Sequence, residues 1–233
     1  MPNWVDNEIT IKSSQDKIDY IQNKVRTIVK DDEGNDVERH LIAQSLLPMP
    51  EEIAMLDGTD TNLRRFRDLD GNVVKVPQLT AMDYYSMNEE ELLAEGYTME
   101  KLTDDQIQTL KDKYGASDWY AWNVQNYGTK WGDCDTKCVR VDKTTLIYAF
   151  GTAWSPAFPM IEKIARELEV EIENKYFSIE NGDKGNATFN NKGHITLQHW
   201  EELDESYYRF DDDVEPVGST SAQAQKKAQE IFG

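Results

Sequence analysis

The chain opens on a period-two pattern. In EITIK (residues 8–12) Ile9 and Ile11 alternate with polar residues, as a half-buried strand requires. Ser13 and Ser14 follow, either able to cap a helix, and Ile18, Ile21, Val25 and Ile28 then recur at helical spacing. KDDEGND (30–36) reads as a turn, with Gly34 and Asn35 supplying left-handed conformations. The apolar run HLIAQSLLPMP (40–50) predicts a strand stopped by Pro48 and Pro50, because proline cannot donate to a ladder.

Between about 51 and 116 the pattern changes. NLRRFRDLDGNVVKV (62–76) predicts a hairpin turning at Asp70-Gly71. MNEEELLAEGYTMEKLTDDQIQTLKDKYG (87–115) predicts two short acidic helices. Thr103 and Gln106 have capping-box spacing, and Leu102, Gln106, Ile107, Leu110 and Tyr114 suggest one buried stripe. The stretch 51–116 reads as a mostly helical insertion into a smaller core fold.

SDWYAWNVQNYG (117–128) predicts a helix capped by Ser117 and ended by Gly128, with Trp119, Trp122 and Val124 facing inward. KCVRVD (137–142) and TTLIYAFGT (144–152) are strands joined at Asp142-Lys143. SPAFPMIEKIARELE (155–169) is a helix with Ser155 as N-cap and Pro156 at its first position. Its apolar stripe is Phe158, Ile161, Ile164, Ala165 and Leu168. VEIENKYFSI (170–179) is a strand, NGDKGN (181–186) a turn, and ATFNNKGHITLQHW (187–200) two further short strands. This order predicts an α+β fold of the ferredoxin-like kind, an antiparallel sheet with helices on one face. It occupies residues 1–200 around the insertion. An acidic tail follows at 201–233, with a short helix over 219–232.

Composition changes the picture in one respect. Across 233 residues, 39% are hydrophobic and 30% charged, which is ordinary for a globular chain. The net charge of −19 is not ordinary. Such a surface repels nucleic-acid backbones and anionic membranes and attracts basic protein surfaces. Direct nucleic-acid and membrane binding are therefore not expected, and no apolar window is long enough to span a bilayer. MPNWVDNEIT has neither a basic nor an apolar leader region, so a cytoplasmic location is expected.

Motifs for catalysis are thin. Cys134 and Cys138 lie four apart, and His40, His194 and His199 are scattered, so neither a disulfide nor a metal site is expected. DDEG (31–34) and DLDG (68–71) lack the remaining ligands of a calcium loop and read as turns. GTKWGD lacks the second glycine and Gly-Lys-Ser/Thr ending of a phosphate-binding loop. No nucleophile elbow is present at Ser155. The expectation is a protein that is not an enzyme and carries no cofactor. A catalytic alternative would have to use scattered carboxylates such as Asp133 and Asp135.

Two stretches stand out, YGTKWGD (127–133) and FGTAWSP (150–156), each placing a tryptophan after Gly-Thr. The favoured reading is architectural: Trp131 fixes the return of the chain towards the sheet, and Trp154 plugs the sheet's edge, since aromatics at element ends commonly anchor cores. The alternative is that Trp4, Trp131 and Trp154 share a rim and form a binding patch.

Four blocks in order, PNW at the start, LLPMPEEI (46–53), WYAWNVQNYGTKWG (119–132) and AFGTAWSPAFPMIEKIA (149–165), resemble the YubB-type proteins of plasmids and phages. The resemblance covers the first 50 residues and roughly 117–180. It implies a ferredoxin-like domain and a mobile-element origin, with no assigned activity. Val5 departs from the cysteine expected after PNW, which argues against cysteine chemistry there.

The acids concentrate in two segments. Residues 83–118 hold ten acids and three lysines, and EELDESYYRFDDDVEP (201–216) holds eight acids and one arginine. In the second, Tyr207, Tyr208 and Phe210 are interleaved with acid and run into Asp211, Asp212 and Asp213, a pattern suited to docking on a basic groove. These features point to an accessory protein of a phage or plasmid acting by protein–protein binding. Its expected target is a basic host surface or a nucleic-acid-binding protein, in a host defence or nucleic-acid-handling system, within the host cytoplasm if the chain is phage-encoded. The alternatives are a nucleic-acid mimic, a structural module whose charge confers solubility, and a homo-oligomer.

Overall fold

In the computed structural model of the chain, residues 3–31, 33–75 and 89–203 are described. Two compact units are present, Met1–Leu47 with Asn126–Gly233, and Pro48–Gln125.

In the first unit the opening alternation becomes β1 (Trp4–Lys12). Val5, Asn7, Ile9 and Ile11 are buried, and Trp4, Asp6, Glu8 and Thr10 point to the opposite face. The helix α1 (Gln15–Val25) buries Ile18, Ile21 and Val25. It stops short of Ile28, which lies 54% exposed in β2 (Arg26–Lys30), paired with β3 (Asp36–His40). The run at 40–50 is not a strand. Ile42–Leu46 forms α2, with Ile42 and Ala43 buried.

After the second unit the chain continues through β8 (Cys134–Arg140), β9 (Thr145–Ala153), α7 (Phe158–Leu168), β10 (Glu171–Ser178), β11 (Asp183–Phe189) and β12 (Ile195–Glu202). The sheet order is β12-β11-β10-β1-β9-β8, every neighbouring pair antiparallel. The four strands at one end, β10-β1-β9-β8, place the fourth, first, third and second strands of a strand–helix–strand–strand–helix–strand unit side by side. This is the ferredoxin-like arrangement, extended at the β10 side by β11 and β12. Met160, Ile161, Ile164 and Ala165 of α7 are buried, and each large aliphatic side chain among them contributes about 2 kcal/mol. The helix begins later than the Ser155-Pro156 signal suggests. Ala157 is its N-cap, and the proline in its first turn is Pro159.

The second unit mixes both element types. It contains the short α3 (Glu51–Ala54), α4 (Glu89–Ala94), α5 (Asp104–Tyr114) and the start of α6 (Trp119–Tyr127). A four-stranded sheet accompanies them: β4 (Leu56–Asp57), β5 (Arg64–Asp68), β6 (Val73–Val74) and β7 (Tyr97–Lys101). β7 separates the two expected acidic helices and pairs with β5. The capping box forms, with Gln106 Oε1 accepting the Thr103 N–H at 2.8 Å and Thr103 Oγ1 accepting the Gln106 N–H at 3.4 Å. Leu56, Leu63, Leu102, Ile107 and Leu110 make one core, with Tyr114 packed against it. Asp118 Oδ1 accepts the Ala121 N–H at 2.8 Å, so Asp118 rather than the buried Ser117 caps α6. Trp122 is buried, while Val124 is 43% exposed and does not face inward.

Candidate functional site

The two Gly-Thr-x-Trp stretches meet. Thr129, 2% exposed, donates from Oγ1 to the Ala153 carbonyl at 2.8 Å and accepts the Ala153 N–H at 3.0 Å. Ser155 Oγ donates to the Gly128 carbonyl at 2.5 Å, and Thr152 Oγ1 donates to the Ser155 carbonyl at 2.7 Å. These bonds tie the loop after α6 to the end of β9.

Two glycines frame that loop. Gly128 has φ +76°, and a Cβ there would lie 2.4 Å from Pro159 Cδ. Gly132 also has φ +76°, and its Cβ would lie 2.7 Å from Ala43 Cβ. Both combine a left-handed conformation with a close approach that excludes a side chain. Beside Gly132, the Asp133 carboxylate accepts the N–H groups of Ile42 at 3.0 Å and Ala43 at 2.6 Å, and the Thr136 hydroxyl at 2.5 Å. Asp133 is thus the cap of α2. Cys134 and Cys138 are free, and burial pushes both thiols above their ordinary range, with Asp133 and Asp135 adding to the shift at Cys134. That environment favours the thiol over the nucleophilic thiolate.

With the backbone fixed, Lys130, Trp131 and Trp154 come together. Trp131 and Trp154 are each 43% exposed. The Lys130 ammonium lies 4.5 Å from the centre of the Trp131 ring and 5.7 Å from that of Trp154, within cation–π range of both. Trp4 joins from β1, its ring centre 6.1 Å from that of Trp131 with planes inclined at 31°. The Trp4 ring lies over Gly151, where a Cβ would be 3.4 Å from Trp4 Cε3. The expectation that Trp131 and Trp154 are buried anchors is therefore corrected: the buried anchor is Thr129, and the tryptophans form a rim.

Trp154 is held at φ 71°, a conformation that costs a non-glycine residue about 1–2 kcal/mol. Its N–H donates to the Asn3 carbonyl at 2.7 Å, and its carbonyl accepts Asn181 Nδ2 at 2.9 Å. Asn3 Nδ2 also donates to Asn181 Oδ1 at 3.0 Å. Two carboxylates flank Trp4. Glu180 Oε2 accepts the Trp4 N–H, and Asp6 shares the Trp4 face of β1. Loss of hydration and the Glu180 charge hold the Asp6 carboxyl above its usual range.

Asp31 and Asp68 are turn residues, as expected. Asp31 Oδ1 accepts the N–H groups of Glu33 and Asn35, and Asp68 Oδ1 accepts that of Asn72. Among the described residues no group of three His, Cys, Asp or Glu side chains could hold a metal ion, and no helix is long and apolar enough to cross a membrane. Of the two acidic segments, 89–118 lies in the second unit, and Glu201 and Glu202 end β12 in the first. Tyr207, Tyr208, Phe210, Asp211, Asp212, Asp213 and the helix expected over 219–232 lie outside the described residues.

Sequence reasoning named Trp4, Trp131 and Trp154 but missed Lys130, Asp6 and Glu180 as rim residues. Lys130 sits inside YGTKWGD and could have been paired with its neighbour Trp131. No local signal brings Glu180 to Trp4.

Residues 126–218 match the family model described as the ferredoxin-like domain in Api92-like protein, a match that begins where the first unit resumes. The crystal structure of the protein api92 from Yersinia pseudotuberculosis aligns with a TM-score of 0.46 and 12% sequence identity, over 88% of this chain and 99% of that one. No curated protein matches the sequence. The chain therefore carries a ferredoxin-like domain, similar over residues 126–218 to that of Api92-like proteins.

Proposed function

We propose that this protein acts by binding another protein through the tryptophan rim, and that it is not an enzyme. The observation that carries the reading is the pair Trp131 and Trp154, each 43% exposed and sharing one lysine ammonium. Large aromatic rings left half in water on a hydrogen-bonded frame suit an interface anchor, because they add contact area with little conformational entropy to lose. The strained backbone of Trp154 supports the same reading, since such strain gathers at functional positions.

The net charge of −19 favours a basic partner surface and fast, salt-sensitive association. Together with the resemblance to plasmid and phage proteins, it supports an accessory role on a mobile element, directed at a host defence or nucleic-acid-handling system.

The test is affinity capture from bacterial host lysate, with the wild-type chain beside the double variant Trp131→Ala/Trp154→Gly. A single stoichiometric partner retained by the wild type and lost by the variant is expected. Retention of the same partner by both would overturn the rim as the binding surface.

A further inference from the structure

The rim already holds a cation. Lys130 Nζ stands 4.5 Å from the Trp131 ring centre and 5.7 Å from the Trp154 ring centre, so one ammonium is shared by two rings. Trp4 packs on Trp131 at 6.1 Å, and it carries two acids beside it, Glu180 at its own N–H and Asp6 one alternation along β1. Ring faces attract positive charge through their quadrupole, and flanking carboxylates reinforce that attraction.

We infer that Lys130 is the built-in occupant of a cation site whose external ligand is an arginine side chain of the partner, which takes the place of Lys130 against Trp131 and Trp154. This inference rests on the rim reading above and specifies its ligand. A guanidinium fits the site better than an ammonium. It is planar, stacks on indole faces, is less strongly hydrated, and can donate several hydrogen bonds to carboxylates such as Glu180 and Asp6. The charge of the whole chain, −19, is complementary to such a ligand.

Lys130 also gives the proposal a distinctive sign. If the partner brought a phosphate or a carboxylate, Lys130 would be the contact that binds it, and losing the lysine would weaken binding. If the partner brings arginine, Lys130 is a competitor, and losing it strengthens binding.

The experiment titrates the full chain with hexa-arginine and follows indole fluorescence, with hexaglutamate as the anionic probe. Lys130→Met is compared with Lys192→Met, which removes the same charge from the turn between β11 and β12. Lys130→Met is expected to bind hexa-arginine about three- to tenfold more tightly than Lys192→Met, the size of one cation–π contact removed from competition. Lys130→Arg puts the better-fitting cation in the site and is expected to bind hexa-arginine no more tightly than the wild type. Trp131→Ala is expected to lose affinity about tenfold. Equal affinity of Lys130→Met and Lys192→Met overturns the inference. So does tighter hexaglutamate binding by the wild type that Lys130→Met abolishes. If Trp131→Ala leaves hexa-arginine binding unchanged, the rim reading itself fails, which separates the two conclusions. Thermal melts of each variant establish that the fold is intact.

Discussion

Asp133 accepts the main-chain N–H of Ala43 at 2.6 Å, and this contact explains why an acid follows Trp131-Gly132. The carboxylate also receives the Ile42 N–H and the Thr136 hydroxyl, so it closes the start of α2 and fixes the end of the rim loop. Asp133→Ala leaves those donors without their partner and is expected to destabilise the first unit by about 2–3 kcal/mol. Asp133→Asn keeps an acceptor oxygen and is expected to lose about half as much. Chemical denaturation of the two variants checks the order; equal stability with the wild type would show that the cap is immaterial.

Gly128 sets the departure of the loop from α6. Its φ of +76° and the 2.4 Å approach to Pro159 leave no room for a methyl group, and the proline ring cannot swing aside as a flexible side chain would. Gly128→Ala is expected to lower stability by about 2–4 kcal/mol, summing left-handed strain and overpacking. A melting temperature unchanged by this substitution would contradict the close approach of Gly128 to Pro159.

Asp6 predicts a pH dependence of unusual sign. Its carboxyl is raised above the ordinary value of 3.8, first by loss of hydration and then by Glu180; Phe177 and Gly151 are its neighbours across the sheet. A raised carboxyl pKa means that ionised Asp6 opposes folding. That opposition is complete above the folded pKa and is relieved as pH falls through it. Asp6→Asn is therefore expected to raise the melting temperature at pH 7, and the gain should shrink on acidification and be absent by about pH 3. The same variant is expected to bind hexa-arginine less well, since it removes an acid beside Trp4. Thermal melts from pH 3 to 8 check the sign, and a gain that grew towards acid would contradict it.

Much of the fold was legible because its signals are local. The alternation of Ile9 and Ile11, the hairpin at Asp70-Gly71 and the Thr103–Gln106 capping box each lie within a few residues, and each forms. The misreadings have long-range causes. HLIAQSLL carries an apolar run that suits a strand or a buried helix, and its cap, Asp133, lies far along the chain. Ile28 continues the helical spacing of α1, yet the chain is drawn out there by pairing with Glu38 of β3. The rim was half legible. Its tryptophans are conspicuous, but their convergence depends on Thr129 bonding to Ala153, a contact between two separate stretches of chain.

The central claim is that Trp154 serves a surface and not the core, and Trp154→Gly tests it most directly. Glycine relieves the left-handed strain at φ 71° and keeps both main-chain bonds, to Asn3 and from Asn181, while removing the ring. The account predicts stability within about 1 kcal/mol of the wild type, because about 1–2 kcal/mol of relieved strain offsets the lost partial burial. It also predicts a hexa-arginine affinity reduced about tenfold. A loss of about 3–5 kcal/mol in stability, as for a core tryptophan, with binding retained, would contradict it.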